Sequence, residues 1–375
     1  MSVKKLLLGL LVFLGSWSVS NAATTLRGEV KGTLTATRSP YHVVEDLIVP
    51  AGDSLVIRSG VEMRFDSAKV LEVRGTLKIL GTQHAPVVLT SAQSKPKPGA
   101  WKGIYFTNSA NNRSVVRHAT IRYALFGVRV VCCSPTLSNT RIEDTGEHGV
   151  WLKTSWARLE NNHILRSKQD GLQATNFQGV LLNNLVQENG DDGLDLRQST
   201  CTVRGNRLIA NHDDGIVLDS CEALVVHNTL ERNGDDGMLV RAGRPVVAFN
   251  VFIRNLYGIF VYGHAAPVLQ NNTLVQGTYG LYVRDHSIAQ VVNSIVWDNA
   301  IQIEVDSLST VNVRHCVVQG GYPGPGNSSQ NPKFISQTDF HLAPDSPCLK
   351  NADPSVPYHD PKVKQLFIGA LGRKR

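Results

Sequence analysis

One glycine per repeat marks the middle of this chain, followed each time by an apolar residue, any residue and a second apolar residue. The glycines are Gly127, Gly149, Gly171, Gly193, Gly215, Gly237, Gly258 and Gly280. Six of the seven steps between them are 22 residues long, and the step from Gly237 to Gly258 is 21. So short a period indicates one structural unit stacked on copies of itself.

The residues between the glycines predict strands and tight turns. Each unit combines short β-branched or leucine-rich runs with Gly, Asn and Asp, and none holds an amphipathic run of helical length. Alternate strand residues share a face, so Leu194 and Leu196, with their counterparts in other units, are predicted to point inward. Such a unit buries its apolar residues by coiling against its neighbours. We therefore predict an all-β fold, a single-stranded parallel β-helix with about 22 residues per coil.

An asparagine column follows the same period. Its members are Asn162, Asn184, Asn206, Asn228, Asn250, Asn272 and Asn293. Buried turns leave polar backbone groups without partners, and stacked side-chain amides supply them. We predict a structural ladder that takes no part in chemistry.

Segments on either side of the repeats carry a family resemblance. VEDLIVPAGDSLVIRSGVEMRF and VLEVRGTLKILG precede them, and NPKFISQTDFHLAPDSPCLKNADP follows. With the repeats, these resemble the opening coils and closing segment of secreted right-handed parallel β-helix proteins of the pectin-lyase-like type. The resemblance and the crossover preference of parallel strands imply a right-handed coil. Members include polysaccharide lyases, hydrolases, epimerases, binding proteins and surface proteins, so the resemblance implies a fold more than an activity.

Three segments are expected along the chain. Residues 1–22 hold Lys4, Lys5, an apolar run and a small-residue cleavage site, which is typical of a secretory signal peptide. Residues 23–318 should form the β-helix with its N-terminal capping coils, and residues 319–375 a loop and closing segment packed on it. No other stretch reaches the roughly 20 apolar residues of a membrane span. We expect an exported monomer, periplasmic or secreted.

Charge and cysteine content limit the partners. Of the 38 lysines and arginines, Lys4 and Lys5 lie in the leader, which leaves 36 against 31 acidic residues. That mildly basic balance suits an anionic polymer, and no dense basic patch indicates nucleic acid. Six cysteines allow disulfides in an exported chain, with the pairing left open. They are Cys132, Cys133, Cys201, Cys221, Cys316 and Cys348.

Paired aspartates stand directly before three successive glycines. The outer members are Asp191, Asp213 and Asp235, and the inner members are Asp192, Asp214 and Asp236. Two carboxylates one strand spacing apart repel by about 3.5 kcal/mol at an effective dielectric near 20. A half-buried column therefore needs a cation or shared protons, and closely spaced oxygen ligands suit calcium. Asp is also an ordinary turn residue before Gly, so both interpretations stay open.

The outward residues of the strands after the glycines mix aromatic rings with charges. Sugar rings stack on apolar faces, and their hydroxyls and carboxylates bind charged groups. The candidate substrate-binding residues are Trp151, Lys153, Asp195, Asp219, Tyr262, Tyr282 and Arg284. A solvated sheet face, or one covered by the C-terminal tail, explains the same pattern.

The family resemblance implies possible roles for some of these residues. In related lyases, substrate lies along such a face, acidic residues hold calcium, and an Arg or Lys acts as base. By position, Lys153, Arg197 and Arg241 are the counterparts here, and such a base needs a lowered pKa. In related hydrolases, paired Asp residues act as acid and base, a role that would fall to the inner aspartates. The Gly-His-Gly and Arg-Ile-Lys motifs of polygalacturonases are absent.

Two classes of function follow. The first is an exported protein that binds an anionic polysaccharide along the outward face and, if it is an enzyme, processes it. The second is a non-catalytic structural or adhesive surface rod. An enzyme should show converging charged groups with perturbed pKa values.

His264 and His286, each six residues after a glycine, should stack on adjacent coils as a solvated pair rather than a metal site.

Overall fold

A computed structural model describes residues 23–108, 112–363 and 365–373. The predicted signal peptide therefore lies outside the described residues. Apart from two short 3₁₀ turns, Ala36–Arg38 and Pro347–Leu349, the regular structure in these ranges consists of β-strands. The strands form three parallel rows that run the length of a solenoid, which we call sheets 1, 2 and 3.

Sheet 1 contains the strands that follow the repeated glycines, preceded by their counterparts in the opening coils. Its strands are Val70–Val73, Gly103–Phe106, Val128–Val131, Val150–Ser155, Leu172–Phe177, Leu194–Arg197, Ile216–Cys221, Asp236–Gly243, Tyr257–Tyr262, Tyr279–Val283 and Ile301–Val305. Two long strands, Thr24–Glu29 and Tyr41–Val49, join sheet 1 to sheet 3 at the N-terminal end.

Sheets 2 and 3 complete each coil. Sheet 2 contains Gly32–Leu34, Ser54–Arg58, Thr76–Leu80, Val115–Arg117, Thr136–Ser138, Arg158–Glu160, Val180–Leu182, Thr202–Arg204, Leu224–Val226, Val246–Ala248, Val268–Gln270, Ile288–Val292 and Thr310–Arg314. Sheet 3 contains Glu62–Phe65, Val87–Ser91, Ala119–Arg122, Arg141–Glu143, His163–Leu165, Leu185–Gln187, Arg207–Ile209, Thr229–Glu231, Val251–Ile253, Thr273–Val275, Ile295–Trp297 and Val317–Val318. The 13 strands of sheet 2 correspond to 13 coils, so the predicted parallel β-helix is confirmed.

The predicted inward columns form the core. In sheet 1, Leu172 pairs with Leu194, and Leu194 with Ile216, in a parallel register of one coil. These side chains and those of Ala174 and Leu196 are at most 2% exposed. Apolar rows therefore run along the inside of the solenoid, as alternation along a strand requires.

The repeated glycines are required by close approach between coils. A Cβ at Gly193 would lie 2.6 Å from the carbonyl oxygen of Gly215 and 2.8 Å from Nδ2 of Asn211. No side chain fits at that distance, so the repeats from Gly127 to Gly280 need a glycine where the turn enters sheet 1.

The asparagine ladder is present with one correction. The Asn184 backbone N–H donates to Asn206 Oδ1 at 2.8 Å, and Asn206 Nδ2 donates to the Leu181 carbonyl at 2.9 Å. The prediction for Asn293 is wrong, because the N–H of Asn272 donates to Ser294 Oγ instead. Asn293 has a left-handed backbone (φ 51°) and exchanges hydrogen bonds with the Asp353 backbone outside the coil.

The closing segment packs against sheets 2 and 3. Asp353 accepts from Arg314 Nε at 2.8 Å, and the Tyr358 N–H donates to Gln270 Oε1 at 3.0 Å. Phe340 packs beside Val251 and Val275 of sheet 3. The described contacts of this segment leave the outward columns of sheet 1 uncovered, which removes the tail as the explanation of that face.

The cysteines form no disulfide in the described structure. All six cysteines are free thiols, and only Cys132 is exposed. Cys316 points into the solenoid core, whereas Cys348 lies in a separate cluster outside it with Ile295. Among the residues described, no helix has the length and apolar character needed to cross a bilayer.

Candidate functional site

The acidic turns lie between sheet 3 and sheet 1, and a second amide ladder aligns them. Asn189 Nδ2 donates to Asn211 Oδ1 at 2.9 Å, and Asn211 Nδ2 donates to Asn233 Oδ1 at 3.0 Å. These amides are buried, and Asn255 continues the ladder. Our sequence reasoning missed this ladder, although its members share the 22-residue spacing.

The inner aspartates stack in one column beside that ladder. The Asp192 N–H donates to Asp170 Oδ1 at 3.2 Å, and the Asp214 N–H donates to Asp192 Oδ1 at 3.0 Å. The Asp236 N–H donates to Asp214 Oδ1 at 2.8 Å. The carboxyl groups of Asp170, Asp192 and Asp214 therefore each accept from the next coil, which fixes their positions.

Burial raises the pKa values of these carboxyl groups. Loss of solvent, with added repulsion from neighbouring carboxylates, raises the pKa of Asp192 to about 9 and that of Asp236 to about 10. Burial raises the pKa of Asp214 to about 7. Burial also raises the pKa values of the outer residues Asp191 and Asp235. The column therefore holds protons at neutral pH unless a cation replaces them.

The column of inner aspartates ends at the 21-residue step between Gly237 and Gly258. The turn from Asn255 to Gly258 has one residue fewer than the turn before it, so Tyr257 occupies the register position after Asp236. The Tyr257 N–H points to the Asp235 carbonyl at 3.4 Å rather than to a carboxylate. As a result, Oδ1 of Asp236 is buried without a hydrogen-bond partner among the described residues, and Oδ1 of the neighbouring Asp235 is also buried without one.

The outer and inner aspartates together fit a hard cation. One group contains Asp191, Asp192 and Asp213, and a second contains Asp213, Asp214 and Asp235. Within each group the ligand oxygens lie within 4.8 Å of one another. All ligands are carboxylate oxygens, which calcium prefers, and the unpartnered Asp235 oxygen needs such a partner.

Other titratable and aromatic side chains extend the same column at both ends. His148 Nδ1 lies 3.2 Å from Asp170 Oδ2, before the paired aspartates. Tyr257 and Tyr279 follow them, with ring centroids 4.8 Å apart. Sequence reasoning missed these residues, although each directly precedes a repeated glycine, as Asp170 does.

The two candidate arginines are held by carboxylates of sheet 1. Arg197 Nη2 lies 2.7 Å from Oδ2 of the buried Asp195, and Arg241 pairs with Asp219. Hydrogen bonds to these partners raise the pKa values of both guanidinium groups. The same contact with Arg241 lowers the pKa of Asp219. A base requires the opposite, a lowered arginine pKa, so this geometry favours a binding role for both.

Trp151 is connected to the acidic column through one glutamine. Its Nε1–H donates to Gln173 Oε1 at 3.0 Å, and Gln173 Nε2 donates to Asp170 Oδ2 at 3.2 Å and to Asp195 Oδ2 at 3.1 Å. The Arg129 guanidinium lies 4.8 Å from the indole centroid. One face of Trp151 is therefore already in use, and the network holds the ring beside the acidic turns.

Tyr262, Tyr282 and Arg284 come together at the opposite end of the face. Tyr282 stacks on Phe260 at 5.2 Å, and Arg284 lies 5.0 Å from the same Phe260 ring. Tyr262 also stacks on Phe260, at 5.2 Å. Because these rings stack on each other, fewer ring faces remain free for a ligand than the sequence suggested.

The predicted histidine pair is stacked on adjacent coils. The rings of His264 and His286 are 5.2 Å apart with an angle of 6° between their planes. Among the described residues, no set of three ligand side chains includes either ring. The pair therefore stays a surface feature outside the acidic site.

Family models match most of the chain. The right-handed beta helix region matches residues 102–252 and 197–338, and the pectate-lyase-like beta helix domain matches residues 28–149. The first match extends over more than half of the sequence, so this chain belongs to the right-handed β-helix family. The predicted resemblance to right-handed parallel β-helix proteins of the pectin-lyase-like type is confirmed.

Solved structures show the same fold at low sequence identity. The periplasmic alginate epimerase AlgG has a TM-score of 0.52 and 13% identity, over 74% of this chain and 76% of that one. A variant of that enzyme has a TM-score of 0.59 and 14% identity over the same shares. The catalytic domain of a GH87 alpha-1,3-glucanase reaches 0.49 with 12% identity, over 76% and 69%. No curated protein matches the sequence.

Proposed function

We propose that this chain is an exported protein that binds an anionic polysaccharide along the outer face of sheet 1, with calcium held at the acidic turns. One observation carries the proposal: buried carboxylate oxygens without partners lie on the same open face as arginines and aromatic rings. The leader pattern of residues 1–22 supports export. The structural similarity to AlgG, a periplasmic alginate epimerase, supports both export and an anionic substrate.

Calcium would be held mainly by the outer aspartates, Asp191, Asp213 and Asp235, with Asp192 and Asp214 completing the two groups. Bound calcium neutralises the stacked carboxylates and supplies a positive charge for an anionic ligand. The unpartnered oxygen of Asp235 would gain its missing partner. The acidic turn would thereby become an attractive point for a polymer carboxylate.

The cations of the face would meet the polymer on both sides of these turns. Lys153 is exposed on the strand that carries Trp151, and Arg284 lies over the aromatic rings at the other end. Asp195 and Asp219 would act as positioning residues, because they hold Arg197 and Arg241 in their orientations. Trp151, Tyr262 and Tyr282 would contact the sugar rings where their surfaces remain open.

Catalysis is a second candidate, because a protonated carboxyl group beside the ligand path is what a general acid requires. The pKa values of Asp192 and Asp236, raised by burial to about 9 and about 10, keep both groups protonated at neutral pH. Prolonged incubation with alginate and polygalacturonate tests this candidate. Unsaturated ends would indicate a lyase, new reducing ends a hydrolase, and a changed uronate ratio an epimerase.

The binding proposal is tested by calorimetry with alginate, polygalacturonate and neutral dextran, each with calcium or with a chelator. We expect binding of the polyuronates only, stronger with calcium and weaker at high salt, because the contacts are charge-assisted. The variant Lys153→Ala/Arg284→Ala should weaken binding about tenfold, which corresponds to about 1.4 kcal/mol.

The matched control is Arg117→Ala/Arg207→Ala, which removes two exposed arginines from sheets 2 and 3. Equal affinity of the Lys153→Ala/Arg284→Ala variant and the wild type would show that the ligand binds elsewhere. Equal losses in both double variants would indicate a nonspecific charge effect. If no polyuronate binds at all, the structural or adhesive surface rod becomes the better description.

A further inference from the structure

A cavity of about 550 Å³ lies between sheet 3 and the closing segment, apart from the outer face of sheet 1. Residues Phe334 and Leu342 pair as an antiparallel bridge, and the hairpin between them leans over the ends of Thr273–Val275 and Ile295–Trp297. Ligand pockets in proteins have volumes of roughly 300–1,000 Å³, so the cavity is large enough for a small molecule.

One wall of the cavity is aromatic. Trp297, Phe334 and Phe340 line it, and the two phenylalanine rings meet edge to face at 5.2 Å. All three pack in one cluster with Val275, which holds them in place. Such a wall offers an apolar surface on which a sugar ring can lie.

Gln276 supplies the polar counterpart of that wall. Its Nε2 donates to the Gln337 carbonyl at 3.1 Å, which fixes the orientation of the amide. Its Oε1 is buried and has no hydrogen-bond partner among the described residues. Gln276 lines the cavity, and the partner that this oxygen lacks is a hydrogen-bond donor, which a hydroxyl group that reached it would supply.

The charges around the cavity disfavour an anionic ligand. Lys333 lines it, but its Nζ is 2.6 Å from Asp345 Oδ2 and is already neutralised. Asp298 also lines it and adds acceptors rather than donors. The cavity therefore combines an aromatic wall with unused acceptors, a combination that selects an uncharged molecule rich in hydroxyl groups.

We propose that this cavity is a binding site for a neutral saccharide unit, separate from the anionic-polysaccharide face. The two sites differ in charge and lie on different sheets. A neutral sugar would lie against Trp297 and donate a hydroxyl hydrogen bond to Gln276. The proposal goes beyond the function of sheet 1 and does not depend on it.

Saturation-transfer NMR with maltose, cellobiose and lactose at millimolar concentration tests this site, with glucuronic acid as the charged comparison. We expect transfer to at least one neutral disaccharide and a weaker signal from glucuronic acid. The change Gln276→Leu removes the acceptor while keeping the size of the side chain, and should weaken binding about tenfold, or about 1.4 kcal/mol.

Trp156→Ala is the matched control, because Trp156 is 57% exposed and does not line the cavity. The Lys153→Ala/Arg284→Ala variant should also keep neutral-sugar binding, which separates this proposal from the function of sheet 1. Absence of transfer to every neutral disaccharide would overturn the proposal. So would a Gln276→Leu variant that binds as the wild type does.

Discussion

Asn206 shows how a single side chain replaces backbone pairing in a solenoid. It is 1% exposed, and its amide makes bonds to Leu181 and Asn228 while its oxygen accepts the Asn184 N–H. Its loss leaves groups on two neighbouring coils without partners. The ladder is therefore structural, as the sequence predicted.

We expect Asn206→Ala to lower the free energy of unfolding by about 1–3 kcal/mol, the usual cost of unpaired buried polar groups. Urea unfolding followed by circular dichroism measures this. Asn312→Ala, at an exposed position of sheet 2, is the control and should change little. Identical unfolding curves for Asn206→Ala and the wild type would contradict the ladder interpretation.

A second prediction concerns Asp214, whose pKa burial raises to about 7. A carboxyl group with a raised pKa destabilises the fold as pH rises from its unfolded value of about 4 through its folded value. Asp214→Asn keeps an oxygen to accept the Asp236 N–H but removes the charge. We expect it to stabilise the calcium-free protein by on the order of 1 kcal/mol above pH 7, and not below pH 4.

Thermal melts at both pH values, with a chelator and with calcium, test this expectation. Asp213→Asn is the comparison, because Asp213 is exposed and belongs to both ligand groups. It should change the calcium-free melting temperature less than Asp214→Asn does, yet reduce stabilisation by calcium. If Asp214→Asn lowered the melting temperature at pH 8, the carboxylate charge of Asp214 would not be what destabilises the calcium-free fold.

At the scale of elements, the closing segment is attached by a buried ionic cluster. Asp360 Oδ2 lies 2.9 Å from Arg204 Nη2 and also accepts from His227. Burial alone would raise the Asp360 pKa, but the Lys362 N–H, His227 and Arg204 hold it at about 2. A lowered carboxyl pKa gives stability that is present above about pH 4 and lost as pH falls towards 2.

We therefore expect Asp360→Asn to loosen the closing segment at pH 7, because it leaves Arg204 and His227 without the carboxylate. Limited proteolysis should cut the variant near residues 350–365 at least several times faster than the wild type. Asp345→Asn, which breaks an exposed pair with Lys333, is the control. Equal cleavage of Asp360→Asn and the wild type would show that apolar packing alone holds the segment.

The elements differ in how far the sequence predicted them. Period and alternation predicted the strands of sheet 1 and the inward position of Leu196, because both follow from the geometry of a coil. The ladder position was wrongly assigned to Asn293 because its neighbour Ser294 also has a side-chain hydrogen-bond acceptor. Only the backbone conformation shows which of the two faces inward. The position of Asp360 against Arg204 joins residues far apart in sequence, and no periodic pattern reports such a contact. The sequence identified Asp195 and Asp219 as outward acidic residues, but it did not predict that they form ion pairs with Arg197 and Arg241.

The whole molecule is a stack in which each coil contacts its neighbours. Leu196 lies in the middle of that stack, is fully buried, and pairs with Ala174 and Leu218. A fault at this point separates the coils before it from those after it, because a coil in a solenoid is supported mainly by its neighbours.

Leu196→Asp should consequently prevent folding of the whole chain, since a charge would enter an apolar row without a partner. Circular dichroism and gel filtration of the purified protein would show loss of β-structure and an expanded or aggregated chain. Lys153→Asp, which places the same charge on the outer face of sheet 1, should fold normally. A soluble, native-like Leu196→Asp protein would mean that the coils fold independently.

If a polysaccharide binds along sheet 1 as proposed, the shortened turn at residues 255–258 affects how a repeating rod aligns with a repeating polymer. Two periodic objects laid side by side have many equivalent alignments, so neither one alone defines a starting point. The missing residue breaks that equivalence: carboxylates lie on one side of it and tyrosines on the other. The shortened turn would therefore give a bound chain one preferred alignment and one direction along sheet 1.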